Sequence, residues 1–194
     1  MQLLTPEDLY TLEKYSGMRA EFRTQVMAHK KPRHIALGPN ATLYFEDRLT
    51  MQYQIQEILR IEKVFEREGI LEELEAYNPL IPNGSNLKAT FMLEYPDAEE
   101  RKVALGRLIG IDKLLWIRID GFDKVFAITN EDLERETEDK TSSVHFARFE
   151  FSDEMVNAAK SGATISMGVD HDNYTHVIDH LPGANRDALI NDFD

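Results

Sequence analysis

The spacing of apolar residues changes its period near the middle of the chain, and this change constrains the fold more than any other feature. In the first half, Met18, Phe22 and Val26 recur four residues apart, which is typical of a helix. In the second half, apolar and polar residues alternate over 87–95 and 143–151, as in half-buried strands. Helices do not separate the strands regularly, so a doubly wound parallel sheet is not favoured. The sequence predicts an α+β fold with a largely antiparallel sheet flanked by helices.

The chain is predicted to form a single domain over residues 1–194. A mainly helical portion with one hairpin, residues 1–82, packs on a β-rich portion, residues 83–194. The first portion is predicted to contain two short helices on either side of Ser16 and Gly17, a hairpin of strands 33–38 and 41–46, a long helix over 50–68 that begins near Thr50 and ends at Gly69, and a short helix over 70–76. The second is predicted to contain strands at 87–95, 114–119, 124–128, 143–151, 163–169 and 174–179, helices at 97–109 and 153–160, and a terminal helix after Pro182. The charged segment 130–142 has almost no apolar residues and is predicted to be a mobile loop.

Composition and charge exclude several classes of function. The chain has no cysteine, which excludes disulfides, thiolate-held iron–sulfur clusters and cysteine nucleophiles. A net charge of −13 disfavours nucleic acids and anionic membranes as partners. No apolar run approaches the ~20 residues of a membrane span, and the N-terminus does not resemble a signal peptide, so a cytoplasmic location is expected. The basic stretch 29–34 is either a solvated connection or a docking point for an acidic partner or a phosphate.

The long predicted helix carries carboxylates where apolar residues are expected. At about 100° per residue, Glu62 falls near the middle of the apolar face, and Glu57 lies between Val64 and Ile61. An unpaired buried carboxylate costs several kcal/mol, so it is neutralised, ion-paired or bound to a metal. Either Glu62 pairs with a basic residue elsewhere or meets solvent, or it belongs to a metal, acid–base or ligand-orienting site.

Two histidines could complete a metal site together with these carboxylates. His145 shares a strand face with apolar residues, where a histidine is either a satisfied core residue or a ligand. His171 lies between two predicted strands, in a turn or in an oxygen-rich cation site. If Glu57, Glu62, His145 and His171 meet where the long helix packs on the sheet, they would suit iron, manganese or zinc. This metal hypothesis requires at least three of the four side chains within about 5 Å of a common point.

An alternative to the metal hypothesis is a site that needs no metal. Arg60 and Arg148, the candidate cofactor-binding residues, would surround a pocket together with Glu62, as in a small-molecule binder or a metal-free enzyme. The sequence contains no phosphate-binding Gly-x-x-x-x-Gly-Lys, no dinucleotide-binding Gly-x-Gly-x-x-Gly, no Gly-x-Ser-x-Gly elbow and no His-Glu-x-x-His. No complete catalytic motif is therefore present, and no catalytic residue is predicted.

Five segments of the chain carry a family resemblance. They are Phe45-Glu46-Asp47-Arg48, Gln54-Ile55-Gln56-Glu57-Ile58-Leu59-Arg60, Ala76-Tyr77-Asn78-Pro79-Leu80-Ile81-Pro82, Ser143-Val144-His145-Phe146 and Gly168-Val169-Asp170-His171. Together, and over nearly the whole chain, they resemble an uncharacterised bacterial family catalogued as domain of unknown function 3501. Members of that family tend to be encoded beside rubrerythrin-like proteins and iron–sulfur/flavin oxidoreductases. By analogy, the resemblance implies an accessory or interaction protein of an intracellular redox or oxidative-stress system, with such a protein as its partner.

Overall fold

A computed structural model describes residues 2–194 and confirms the α+β class. The helices are α1 Leu12–Lys30, α2 Arg48–Glu62, α3 Arg67–Tyr77, α4 Ala98–Arg107, α5 Asp153–Lys160 and α6 Gly183–Ile190. The strands are β1 His34–Ala36, β2 Ala41–Phe45, β3 Asn86–Leu93, β4 Leu115–Ile119, β5 Val125–Phe126, β6 Ile128–Thr129, β7 Val144–Glu150, β8 Ile165–His171 and β9 Tyr174–Ile178. Short 3₁₀ helices lie at Pro6–Asp8, Lys31–Arg33, Asn78–Leu80 and Ile111–Leu114. As predicted, the N-terminal portion is mainly helical and the C-terminal portion is rich in strands.

The strands form two antiparallel sheets rather than one. The first sheet has the order β1-β2-β3-β7-β6, and the second has the order β5-β4-β8-β9. The predicted hairpin β1–β2 joins the first sheet through β3, with Leu43 opposite Phe91. The chain crosses between the sheets at Ala127, the single residue between β5 and β6, whose N–H donates to Leu115 O at 2.9 Å. Because β5 and β6 read as one short strand, the sequence alone does not show that they belong to different sheets.

Both sheets bury their inward faces in one core. This core includes Leu43, Phe45, Leu87, Phe91, Ile117, Phe149, Met167 and Val169. The alternating residues predicted to be apolar on β3 and β7 are buried, which confirms the period-two interpretation of these strands. The Tyr174 hydroxyl donates to Leu37 O at 2.8 Å and accepts from Asn40 N at 2.9 Å. It therefore joins the second sheet to the β1–β2 turn.

The helices of the N-terminal portion pack in two smaller apolar clusters. One contains Leu4, Met51, Ile55, Leu59, Leu74 and Ile81, and brings α2 and α3 together. The other contains Tyr15, Phe22 and Val26 of α1, with Leu49 and Tyr53 of α2 against them. α2 therefore lies between α1 and α3. Within residues 2–194, no helix combines the length and the apolar content that crossing a bilayer requires.

The predicted break at Ser16 and Gly17 is wrong, because α1 runs through both residues. An interior glycine costs a helix about 1 kcal/mol relative to alanine. Tyr15, Phe22 and Val26 lie on one face of α1 and are at most 5% exposed. Burial of such side chains contributes about 1.5–3 kcal/mol each, so packing outweighs the glycine.

The predicted end of the long helix at Gly69 is also wrong. α2 ends at Glu62, and Lys63 follows in the left-handed region with φ 57°. The N–H groups of Lys63 and Val64 both donate to Leu59 O, which closes the last turn. Gly69 lies inside α3, where it ends nothing. The sequence does not mark this boundary, because lysine is not a residue that typically adopts φ > 0.

The start of α2 lies before the predicted Thr50. Asp47 is the N-cap: its Oδ1 accepts from Thr50 N at 2.9 Å, and Thr50 Oγ1 accepts from Asp47 N at 2.9 Å. This reciprocal pair satisfies two backbone donors of the helix terminus. The other predicted elements lie close to their predicted bounds, and the segment 130–142 contains neither helix nor strand.

Candidate functional site

Glu57 of α2 is held by an arginine of α1. Arg19 donates from Nε to Oε1 and from Nη2 to Oε2, both at 2.7 Å, and the Tyr15 hydroxyl donates to Oε1 at 2.7 Å. Arg60 Nη2 lies 3.5 Å from Oε2. The hydrogen bonds from Arg19 lower the pKa of Glu57 to about 2. Glu57 and Arg60 therefore belong to an ion-paired cluster between α1 and α2.

Glu62 lies at the exposed end of α2. Its charge acts on Glu73 of α3, whose pKa is raised by burial and by the negative charges of Glu62 and Glu72. Among residues 2–194, Glu62 has no arginine or histidine partner. The placement agrees with the interpretation that this end of the helix face meets solvent.

His145 is fully buried on β7 with both ring nitrogens in contact with polar groups. Nδ1 lies 3.1 Å from Asn130 Nδ2 and 3.8 Å from Asp112 Oδ2. Nε2 lies 3.0 Å from both Thr141 Oγ1 and Ser142 O. Burial lowers the pKa of His145, and the nearby Asp112 only partly opposes this. His145 therefore has the environment of a satisfied core histidine that fastens both ends of the segment 130–142.

His171 is buried at the end of β8. Its Nδ1 accepts from Asn173 N at 3.1 Å, so Nε2 carries the proton and donates to Ile109 O at 3.1 Å. His171 therefore stabilises the β8–β9 turn and joins it to the segment that follows α4.

The structure does not bring the four proposed metal ligands together. Glu57 faces α1, Glu62 lies at the exposed end of α2, and the two histidines are occupied in separate polar contacts. In the described part of the chain, no three His, Asp or Glu side chains are grouped so that they could hold a metal ion. The convergence that the metal hypothesis requires is not found.

Arg148 lines a groove on the outer face of the first sheet, the face turned away from the core. The groove has a volume of about 640 Å³ and lies between this face, α3 and the segment after β6. Its lining consists of Glu75, Ala76, Tyr77, Pro79, Leu80, Lys88, Glu131, Asp132, Phe146, Ala147 and Arg148. Arg60 is not part of the lining, so the predicted pairing of Arg60 and Arg148 around one pocket is not found.

The guanidinium of Arg148 is paired with two carboxylates. Its Nε and Nη2 donate to the two oxygens of Glu131 at 2.9 and 2.8 Å, and its Nη1 donates to Glu150 at 2.5 Å. The hydrogen bonds from Arg148 lower the pKa of Glu131. Arg148 is therefore a fully paired guanidinium.

Lys88 is the groove residue that sequence reasoning missed. It lies directly opposite Arg148 in the β3–β7 pairing, and its Nζ donates to Pro79 O at 2.6 Å. Burial and the positive charge of Arg148 lower the pKa of Lys88. The alternation of β3 already placed Lys88 on the outer face, but only the fold places Pro79 above it.

Arg33 is the second residue that the sequence did not single out. It belongs to the basic stretch 29–34, for which a solvated connection was one interpretation, yet it is only 2% exposed. Its guanidinium pairs with Asp192 and with Asp47, whose Oδ2 also lies 2.5 Å from His29 Nε2. The stretch is thus anchored in the interior at Arg33.

Exposed apolar and acidic residues follow one another along the end of α2, the connection after it and α3, and we call this segment the α2–α3 surface. Its apolar members are Ile61, Phe65 and Leu71, and its acidic members are Glu62, Glu66, Glu68, Glu72 and Glu75, which outnumber the exposed basic residues Lys63 and Arg67 of the same segment. Phe65 is 70% exposed and Ile61 is 65% exposed. Exposed apolar side chains scattered singly are normal, whereas grouped ones mark interaction surfaces.

Comparisons with known proteins agree with the resemblance seen in the sequence. A family model described as "Protein of unknown function (DUF3501)" matches residues 3–193. The chain is similar to a novel protein of unknown function from Burkholderia pseudomallei K96243, solved in a crystal structure at 1.90 Å, with 45% identity over 100% of both chains and a TM-score of 0.94. Among curated proteins, none matches the chain.

Proposed function

Since this chain belongs to DUF3501, a family of unknown function, we propose a function from its own surface: it is an interaction protein that docks a basic partner on the α2–α3 surface. The observation that carries this proposal is the exposure of Phe65, the largest apolar side chain on this surface. The further proposal that the partner is a redox protein rests on the family resemblance alone.

Three large apolar side chains support docking at this place. Ile61, Phe65 and Leu71 lie within two turns of helix and the connection between them, and are 65%, 70% and 45% exposed. Their neighbours Val64 and Ile70 are partly buried and pack against the apolar cluster beneath, which contains Leu59 and Leu74. Val64 and Ile70 therefore hold the connection against the core of the helical portion, while Ile61, Phe65 and Leu71 face solvent. This is the arrangement of a preformed contact surface.

The acidic residues around this apolar centre determine the kind of partner. The pKa of Glu73 is raised by burial and by the negative charges of Glu62 and Glu72. The three carboxylates therefore repel one another. Within residues 2–194, none of these three carboxylates takes part in a salt bridge. A basic partner would supply the missing counter-charges, and the net charge of −13 would favour its approach to the chain.

The partner is proposed to be a rubrerythrin-like protein or an iron–sulfur/flavin oxidoreductase. The chain has no cysteine to hold an iron–sulfur cluster by thiolates, so such a cluster would reside in the partner. The role of this chain would then be to bind and orient the oxidoreductase.

Two statements are tested together: that the α2–α3 surface docks a partner, and that the partner is a redox protein. The test is cross-linking in the native host, followed by purification of the chain and identification of the attached proteins. Wild type is compared with Phe65→Ser and with Val177→Ser, a control on edge strand β9 where Val177 is 48% exposed. We expect wild type and Val177→Ser to capture an oxidoreductase, and Phe65→Ser to lose it. Reassembly from purified components should weaken with added salt, because charge steers the encounter.

The two parts of the proposal fail separately. If wild type captures no oxidoreductase or rubrerythrin-like protein, the redox assignment is wrong. If Phe65→Ser captures as much of the same partner as Val177→Ser does, the α2–α3 surface is not the docking site.

A further inference from the structure

We propose that the groove on the first sheet binds a small organic molecule that carries a single carboxylate next to an apolar body, with the carboxylate paired to Lys88. This inference does not rest on the docking proposal, because Lys88 of β3 carries it rather than Phe65, although Glu75 of α3 belongs both to the groove lining and to the α2–α3 surface.

The walls of the groove suit an apolar body. Tyr77, Pro79 and Leu80 form one side, and Phe146 lies on the sheet side. The volume of about 640 Å³ lies within the ~300–1,000 Å³ that is typical of sites for small molecules, which are mostly apolar with few polar groups. An aromatic or branched aliphatic group would be enclosed by these side chains.

The charges at the base of the groove single out Lys88. Arg148 is already paired with Glu131 and Glu150. Lys88 has no carboxylate within ion-pair distance among residues 2–194, and its Nζ donates only to a backbone carbonyl, Pro79 O. A half-buried cation with no carboxylate in direct contact is unfavourable: burial and Arg148 lower the pKa of Lys88, and the more distant charges of Glu131 and Glu150 only partly oppose this. A ligand carboxylate would supply the missing counter-ion.

The rim of the groove limits the charge of the ligand. Glu75, Glu131 and Asp132 line it with exposed carboxylates. Glu131 is paired with Arg148 and Asp132 with Arg135, whereas Glu75 takes part in no salt bridge among residues 2–194. The unpaired charge of Glu75 would repel the second negative charge of a phosphate monoester or a dicarboxylate, and Arg148, already paired, would not offset it. One carboxylate that reaches Lys88 beneath the rim is the charge that the lining accommodates.

Three probes with the same apolar body and different charge provide the test: phenylacetate, phenylacetamide and phenethylamine. Their binding to the whole chain is measured by NMR titration, with Lys88→Met and the exposed-lysine control Lys102→Met as variants. We expect phenylacetate to bind wild type and Lys102→Met about 10-fold tighter than phenylacetamide does, since charge-assisted hydrogen bonds are the stronger ones. Lys88→Met should abolish this difference, and Lys88→Arg should retain it.

A second measurement on wild type needs no variant. Because the ligand pairs with protonated Lys88, the affinity for phenylacetate should fall as the pH rises through the pKa of Lys88, while the affinity for phenylacetamide stays constant. Equal or tighter binding of phenethylamine, an unchanged preference in Lys88→Met, or no binding of any of the three probes would overturn the proposal.

Discussion

Arg33 and Asp192 are 159 residues apart in the chain and form a two-point ion pair in the interior, with Nη1–Oδ2 at 2.9 Å and Nη2–Oδ1 at 2.5 Å. Both side chains are at most 3% exposed. Arg33 Nη2 also lies 2.9 Å from Asp47, the N-cap of α2. One guanidinium therefore joins the end of the chain to the start of the helix that carries the α2–α3 surface.

Removing this guanidinium is expected to destabilise the fold strongly. Arg33→Met leaves the carboxylate of Asp192 buried without its cation and leaves Asp47 with His29 alone, and breaking a buried pair in this way typically costs about 3–5 kcal/mol. Urea unfolding at pH 7 measures the loss. As a control, Arg48→Met breaks the partly exposed pair with Asp8, which should cost about 1 kcal/mol or less. Equal losses in the two variants would show that the buried network stabilises the fold no more than a partly exposed ion pair does.

Long-range pairs of this kind are not accessible from one sequence, whereas local periodicity is. The face of β7 that carries His145 and Phe149 was predicted correctly, because a strand with one buried face alternates residue by residue. The basic stretch around Arg33 gave no sign of its partner, because Asp192 is one of many acidic residues and only the fold brings it close.

The limits at the candidate site have the same physical origin. Arg148 was identified from the sequence and lines the groove, but Lys88 gains its significance from Pro79, which the 3₁₀ helix Asn78–Leu80 places over the sheet. Glu62 was placed on a buried face because the helical pattern continues beyond it. The left-handed Lys63 ends α2 there instead, and leaves Glu62 in solvent.

The ion pair of Glu57 predicts a specific dependence of stability on pH. The folded-state pKa is about 2, below the ordinary 4.5, so the stabilisation is complete above about pH 4.5 and is lost as the pH falls toward 2. Glu57→Gln should therefore lose about 1.5–3 kcal/mol of unfolding free energy at pH 7. The gap to wild type should shrink as denaturation is repeated from pH 4.5 downward. The exposed control Glu13→Gln should show neither effect, and a gap for Glu57→Gln that does not change with pH would contradict the assignment.

Buried His145 predicts a loss of stability at higher pH than Glu57 does. Burial lowers its folded-state pKa below the ordinary 6.5, so the unfolded chain binds the proton first as the pH falls below about 6.5. Wild-type stability should decrease there by up to about 1.4 kcal/mol per pH unit from this group. His145→Gln, compared with itself between pH 7.5 and pH 5.5, should lack this component. NMR of the imidazole checks the same point, and a His145 ring that is protonated at pH 6.5 in the folded protein would contradict the prediction.

The crowded carboxylates of the α2–α3 surface predict that stability and binding respond in opposite directions. The pKa of Glu73 is raised by burial and by Glu62 and Glu72, so these charges destabilise the folded chain at neutral pH. The double variant Glu62→Gln with Glu72→Gln should raise the unfolding free energy by a few tenths of a kcal/mol at low salt, and should weaken capture of the basic partner. Glu134→Gln with Glu138→Gln removes the same net charge from exposed positions in the segment 130–142 and should change neither quantity. If the first double variant gains stability but still binds the partner with unchanged affinity, these acids do not serve docking, and the contact depends on Phe65 and its apolar neighbours alone.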